Sequence, residues 1–277
     1  MNREFIPVRG PESPTFSWAR WRRLARAQWA EQRPQYLAHL LVCGMLYIAL
    51  LLFLLGVSGF SAFQTPVQVS LYLGGLFLTG FVFAGRYFGA MAQRESALLA
   101  MMRPASVFEK WLLCAVVVAM AYPLAYSLLF LAISWPVQQV VIAVRSALEP
   151  QTFKPEDYAL FVPLAKMAVR QAMPVPQQAG FLVAFWALQA FAVAGSLYYA
   201  RASLLKTLAL GFALFVLTAL VCSVAGVRAE VLLAWWSSRG AVPRDAGVHA
   251  INALLWIGLP ALLWLQAYVH LKEKELL

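Results

Sequence analysis

Six stretches of roughly twenty residues or more contain no lysine, arginine, aspartate or glutamate, and they leave this chain few places to fold. They are Tyr36–Phe60, Val67–Gly85, Trp111–Trp135, Ala179–Ala200, Thr207–Val227 and Ala250–His270. A helix of about twenty apolar residues crosses about 30 Å of hydrocarbon, and an ionised side chain at that depth is costly. None of the blocks alternates in and out as a barrel strand does, so helices are expected. Composition agrees, with 62% of residues hydrophobic and 12% charged, where a soluble domain is nearer half and a quarter. The reading is an all-α integral membrane protein with six transmembrane helices. Cys43, Cys114 and Cys222 each lie inside an apolar block at spacings that match no metal or redox motif, so they are expected to pack, and no metal site is expected.

The cations set the orientation. With the N-terminus inside, the inner side gathers fifteen of the twenty-two lysines and arginines, among them Arg20, Arg22, Arg23, Arg26, Arg33, Arg86, Arg94, Arg103, Lys206 and Lys272. The outer side holds the rest, with Arg145, Lys154 and Arg228 among them. The inner loops are short and one-sided, as the positive-inside rule requires, so both termini are expected in the cytoplasm. The net charge of +10 then reflects membrane orientation and not a nucleic-acid partner.

Residues 1–34 form a cytoplasmic N-terminal segment, and residues 35–277 form the six-span domain. Within the first, Ser17–Gln32 has helical periodicity. Trp18, Trp21, Leu24, Ala25 and Trp29 share a face, Arg20 and Arg23 lie opposite, Arg26 flanks it and Arg22 borders it. Gln28 interrupts the apolar face. Tryptophans backed by arginines predict an amphipathic helix in the headgroup layer, anchored by Trp18, Trp21, Arg22, Arg23, Arg26 and Trp29. Pro34 is expected to let the chain turn into the first span. Pro123 and Pro260 are expected to disturb spans three and six.

The loop between spans two and three, Arg86–Lys110, carries the most specific pattern. Gln93, Arg94 and Glu95 are polar, and Ala97–Met102 is an apolar patch too short to cross. Arg103-Pro104 stops that helix, and Ser106 with Glu109 forms an S-x-x-E capping box that starts the third span. Such an apolar patch on a cytoplasmic loop calls for a partner.

The stretch Glu95–Trp111, Leu-Leu followed by Pro-Ala-Ser-x-x-Glu-Lys-Trp, resembles the corresponding loop of type-2 ATP-binding-cassette transporter permeases. Arg103 departs from that family's more usual leucine before the proline. The resemblance implies a coupling helix whose Arg94, Glu95, Leu98, Leu99, Met102, Arg103 and Pro104 dock a separate ATPase subunit. It also makes the N-terminal helix an elbow helix, and implies a second permease copy, an exporter and a bacterial inner-membrane location. No G-x-x-x-x-G-K-[ST] loop occurs, so the chain is expected to be a non-catalytic subunit without its own cofactor, ATP and Mg belonging to the partner. The alternative is a membrane scaffold or signalling subunit of the same topology without a transport pathway. Gly56-Val57-Ser58-Gly59 has the form of a membrane serine-protease motif, but Ser58 ends the first span, and chance accounts for it. The outer segments 136–178 and 228–248 can gate an exit or simply cover the bundle, and a short interfacial helix is expected from Pro155 to about Pro163.

Overall fold

The computed structural model describes residues 15–58, 60, 63–88, 105–151, 153–165, 173–199, 202–224 and 246–276. Every regular element among them is helical, and six helices are long and apolar enough to cross a membrane. They are α1 (Trp18–Ser58), α2 (Thr65–Tyr87), α3 (Val107–Leu148), α4 (Val175–Tyr198), α5 (Ser203–Val224) and α6, which starts at Ala246 and ends at Leu276.

Two of the helices outrun their apolar blocks. The amphipathic segment and the first span are one 41-residue helix that continues through Pro34 instead of turning there. Proline removes one donor, which leaves the carbonyl of Ala30 without its partner, but the flanking helical bonds carry the chain through. At 1.5 Å per residue α1 is roughly 60 Å long, twice the hydrocarbon thickness, so its N-terminal part has to lie outside that layer. Likewise α3 runs past Trp135 and through Pro136 to Leu148. The start of the expected outer segment is therefore more helix, with Val141 fully buried. The helix expected from Pro155 to Pro163 is a single 3₁₀ turn, Pro155–Tyr158.

Pro123 and Pro260 disturb their helices in the same way. A five-residue π segment, Val117–Ala121, ends two residues before Pro123, and another, Leu254–Gly258, ends two residues before Pro260. Each closes with an i→i−5 bond, Tyr122 N–H to the Val117 carbonyl and Leu259 N–H to the Leu254 carbonyl. Pro123 also has no N–H for the carbonyl four residues back, that of Ala119. The Trp186 indole of α4 donates to that oxygen at 2.8 Å. A neighbouring helix thus satisfies the freed group, as hydrocarbon requires.

The core has two parts. At one end of the bundle Phe81 and Phe88 of α2, Cys114 and Val118 of α3, Val193 and Leu197 of α4, and Ala267 and Leu271 of α6 pack together. Toward the other end, Tyr47, Tyr72, Tyr126 and Phe130 fill the space between α1, α2 and α3. Their hydroxyls pair inside the bundle, Tyr47 with Ser134 at 2.7 Å and Tyr72 with Ser127 at 2.9 Å, and Tyr122 donates to Thr79 at 2.6 Å. Buried hydroxyls bonded across helices join them where apolar burial alone gives no preference over lipid. Close approach is written into α2, where an added Cβ at Gly80 would lie 2.6 Å from the Phe185 ring. In contrast, α5 packs mainly on α4, and Phe212, Phe215 and Val224 stand out from the chain.

Three buried glutamines staple the segment after α3 over the second core. Gln68 receives the Phe161 N–H at 3.0 Å and donates to the Phe63 carbonyl at 3.1 Å. Gln138 donates to the Tyr158 carbonyl at 2.9 Å. Gln178 receives the Leu164 N–H at 2.6 Å and donates to the Met173 carbonyl at 2.8 Å. Tyr158 and Phe161 are thereby buried against Tyr72 and Phe130. Residues 153–165 therefore lie over this core.

Candidate functional site

The start of α3, where the chain re-enters the bundle after the 86–110 loop, is the most tightly specified polar site among the described residues. Ser106 is held in an extended conformation, φ −68° and ψ 156°, so its side chain turns back onto the first helical turn. The Glu109 N–H donates to Ser106 Oγ at 3.2 Å, and the Ser106 N–H donates to Glu109 Oε2 at 3.1 Å. Both halves of the expected capping box are present.

Glu109 does more than cap. Its Oε1 accepts the Ser17 N–H at 2.8 Å, and its Oε2 accepts Arg20 Nε at 2.7 Å. Ser17 immediately precedes α1, and its carbonyl receives the Trp21 N–H in the first turn of that helix. One carboxylate therefore sits at the N-termini of two helices, where both macrodipoles favour negative charge. Ser106 also donates through Oγ to the Thr15 carbonyl at 2.6 Å, and Phe16 meets Phe108 edge to face at 6.2 Å. The Glu109 side chain is wholly inaccessible to solvent. Burial by itself would push its pKa up, but the Arg20 guanidinium and the Ser17 and Ser106 N–H groups outweigh it and hold the carboxyl below its usual range. Glu109 is thus a fixed anion, suited to fastening two elements together and not to moving a proton.

A second fastening lies further along α1. Gln28, the residue that interrupts the apolar face, donates to Tyr36 at 3.2 Å and to Tyr87, at the end of α2, at 3.5 Å. The inward face of this helix is Trp21, Leu24, Ala25 and Gln28, with Leu24 buried. Of the expected surface anchors, Trp18 and Trp29 are 60% and 54% exposed, and Arg22, Arg23 and Arg26 are exposed as well. Trp21 is half-buried and stacks on Trp18 with ring centroids 5.0 Å apart. The expected docking residues Arg94, Glu95, Leu98, Leu99, Met102, Arg103 and Pro104 lie outside the described residues. Of the histidines expected near the inner ends of spans one and six, His39 packs on Phe83 and Tyr122, and His270 lies beside Tyr198 and Glu273.

Sequence reasoning missed Ser17 and Arg20. Helical periodicity assigned Arg20 to the polar face, and a partner ninety residues away leaves no local trace. The sequence shows a capping glutamate two residues before an apolar span, whose carboxylate has lone pairs left to satisfy, but not what would satisfy them. Among the described residues, no group of histidine, cysteine, aspartate and glutamate side chains is arranged to hold a metal. Comparisons with protein-family models, with curated proteins and with solved structures find no match for this chain.

Proposed function

We propose that this chain is the membrane-spanning permease subunit of an ATP-driven transporter, an exporter of the bacterial inner membrane that pairs with a second permease copy. A separate ATPase subunit, which binds ATP and Mg, couples from the cytoplasm through the 93–110 loop, and both termini lie on that side. The observation that carries the reading is the loop pattern of polar residues, short apolar patch, Arg103-Pro104 and capping box. The latch at Glu109 supports it mechanically. Whatever displaces the loop moves the first turn of α3, and Glu109 passes that displacement to α1 through Ser17 and Arg20. The aromatic packing between α1, α2 and α3 also supports a cargo path between two chains and not through these three helices.

The test is co-purification of the full chain in mild detergent, comparing wild type with Leu98→Asp and Leu99→Asp. Wild type is expected to bring down an ATPase whose activity it stimulates, and both variants are expected to lose it. An ATPase that stays bound and active in the variants sinks the docking claim. Recovery of a sensor kinase or an assembly factor in place of an ATPase favours the scaffold reading.

A further inference from the structure

A lateral cleft of about 910 Å³ opens between α3, α4 and α6. Its walls are Trp111 and Met120 of α3, Trp186 of α4, and Trp256, Trp264 and Tyr268 of α6, among others. Both π segments border it, since Ala119 and Met120 belong to one and Trp256 and Ile257 to the other. A π turn carries an extra residue in its ring and bulges the helix, and both bulges end two residues before a proline and lie in the cleft walls. The volume falls within the range of ligand sites, about 300–1,000 Å³.

The chemistry of the walls narrows the occupant. Two indole N–H groups are already spent, Trp186 on the Ala119 carbonyl and Trp111 on the Trp264 carbonyl at 3.0 Å. A sugar or a nucleotide would find little to bond there, whereas an alkyl chain would lose nothing. Along α6 the lined stretch from Trp256 to Tyr268 rises roughly 18 Å, close to the depth of one leaflet of a hydrocarbon layer about 30 Å thick. At the bottom, Trp111 meets Trp264 and Tyr268 edge to face, a cluster suited to the headgroup boundary. Lys272 follows one turn past Tyr268 on the same stripe of α6 and is exposed. Phe108, which also lines the cleft, touches Phe16, so the arginine-rich start of α1 lies beside this mouth.

We propose that the cleft holds one acyl chain of an anionic phospholipid, with the headgroup drawn to Lys272 and to the neighbouring basic end of α1. The site is independent of the docking loop and of the transport reading. It assigns the two proline-linked π segments a purpose, keeping a lipid-sized gap open beside an otherwise packed bundle.

Native mass spectrometry tests this on the full chain exchanged into micelles with equal phosphatidylglycerol and phosphatidylcholine. Wild type is expected to keep one phosphatidylglycerol under conditions that strip the other lipid. Ala261→Trp, which fills the cleft, is expected to lose the bound lipid. Lys272→Gln changes only an exposed side chain and therefore remains informative if the filled variant does not fold. It is expected to keep a lipid but with a weakened preference for phosphatidylglycerol, since the basic end of α1 remains. A wild-type chain that retains no lipid, an A261W chain that retains as much as wild type, or a K272Q chain with unchanged headgroup preference overturns the proposal. A261W breaking a dimer while leaving lipid retention intact also overturns it, because a second chain would then be what covers the cleft.

Discussion

Glu109 shows how much one side chain organises at the mouth of this bundle. If its two roles are coupled, Arg20→Ala and Glu109→Ala should not add. Removing either should lower the detergent melting temperature, and removing both should cost less than the sum, which a double-mutant cycle reads directly. Independent, additive losses would mean the Arg20 contact contributes nothing to the latch. Ser106→Ala removes the cap itself and is expected to cost about 1 kcal/mol. The latch also has a defined pH dependence. The Glu109 carboxyl is held below its usual range, so its contribution is fully present above the unfolded value, about 4.3, and is lost as pH falls through the lower folded value. The stability gap between wild type and Glu109→Gln should therefore be widest near neutrality and close on acidification. A gap that widens in acid would show that the carboxyl is not held down. The capping half of this site was legible because Ser106 and Glu109 stand three residues apart in the chain. The half made by Ser17 and Arg20 was not, because it exists only once α1 and α3 lie together.

At the scale of the helices, sequence and structure agree on how many there are and part on where they end. Hydropathy marks the layer in which lipid surrounds a helix, whereas backbone bonding decides where the helix stops, and the two need not coincide. Pro34 and Pro136 read as boundaries, yet α1 and α3 pass through both, because one lost bond does not outweigh the bonds on either side. Pro123 and Pro260 were legible as disturbances, but not as π segments, and what meets the carbonyl that Pro123 frees depends on α4. That dependence is testable. Trp186→Phe leaves the Ala119 carbonyl without its indole donor and is expected to cost about 1 kcal/mol. In a Pro123→Ala background the restored N–H can serve the helix, so the same change should cost clearly less. Equal costs in both backgrounds would refute the link between the proline and the tryptophan. The staple at the other end makes a sharper case. Gln68→Leu strands the buried Phe161 N–H and releases the Phe63 carbonyl. Limited proteolysis of the variant should cut within 153–165 far faster than in wild type, and unchanged cleavage would mean that Tyr158 and Phe161 hold the cover alone.

The whole molecule is a bundle with a basic end and a covered end, and its orientation decides whether the proposed partner can reach it. The ends of α2, α4 and α6 and the start of α3 meet in one cluster, with α1 fastened to it through Gln28 and Glu109. Seven cations are assigned to the other side against fifteen to this one, the imbalance that the charge rule reads. The expected orientation rests on the loop Arg86 to Lys110, the short connection Arg201 to Lys206 and the N-terminal arginines. A fluorescent protein joined after Leu277 should mature in the cytoplasm. Alkaline phosphatase joined after Glu149, at the end of the extended α3, should be exported and active. The reverse pattern would place the 93–110 loop away from cytoplasmic ATP and end the transporter reading without any binding experiment. Both fusions reporting the same side would instead mean that an odd number of α4, α5 and α6, the three helices between the fusion points, fails to cross. The reverse pattern would leave the Glu109 latch and the lateral cleft in place, since they depend on helix packing and not on which face of the membrane they meet. Failure of α4 or α6 to cross, by contrast, would remove a wall of the cleft.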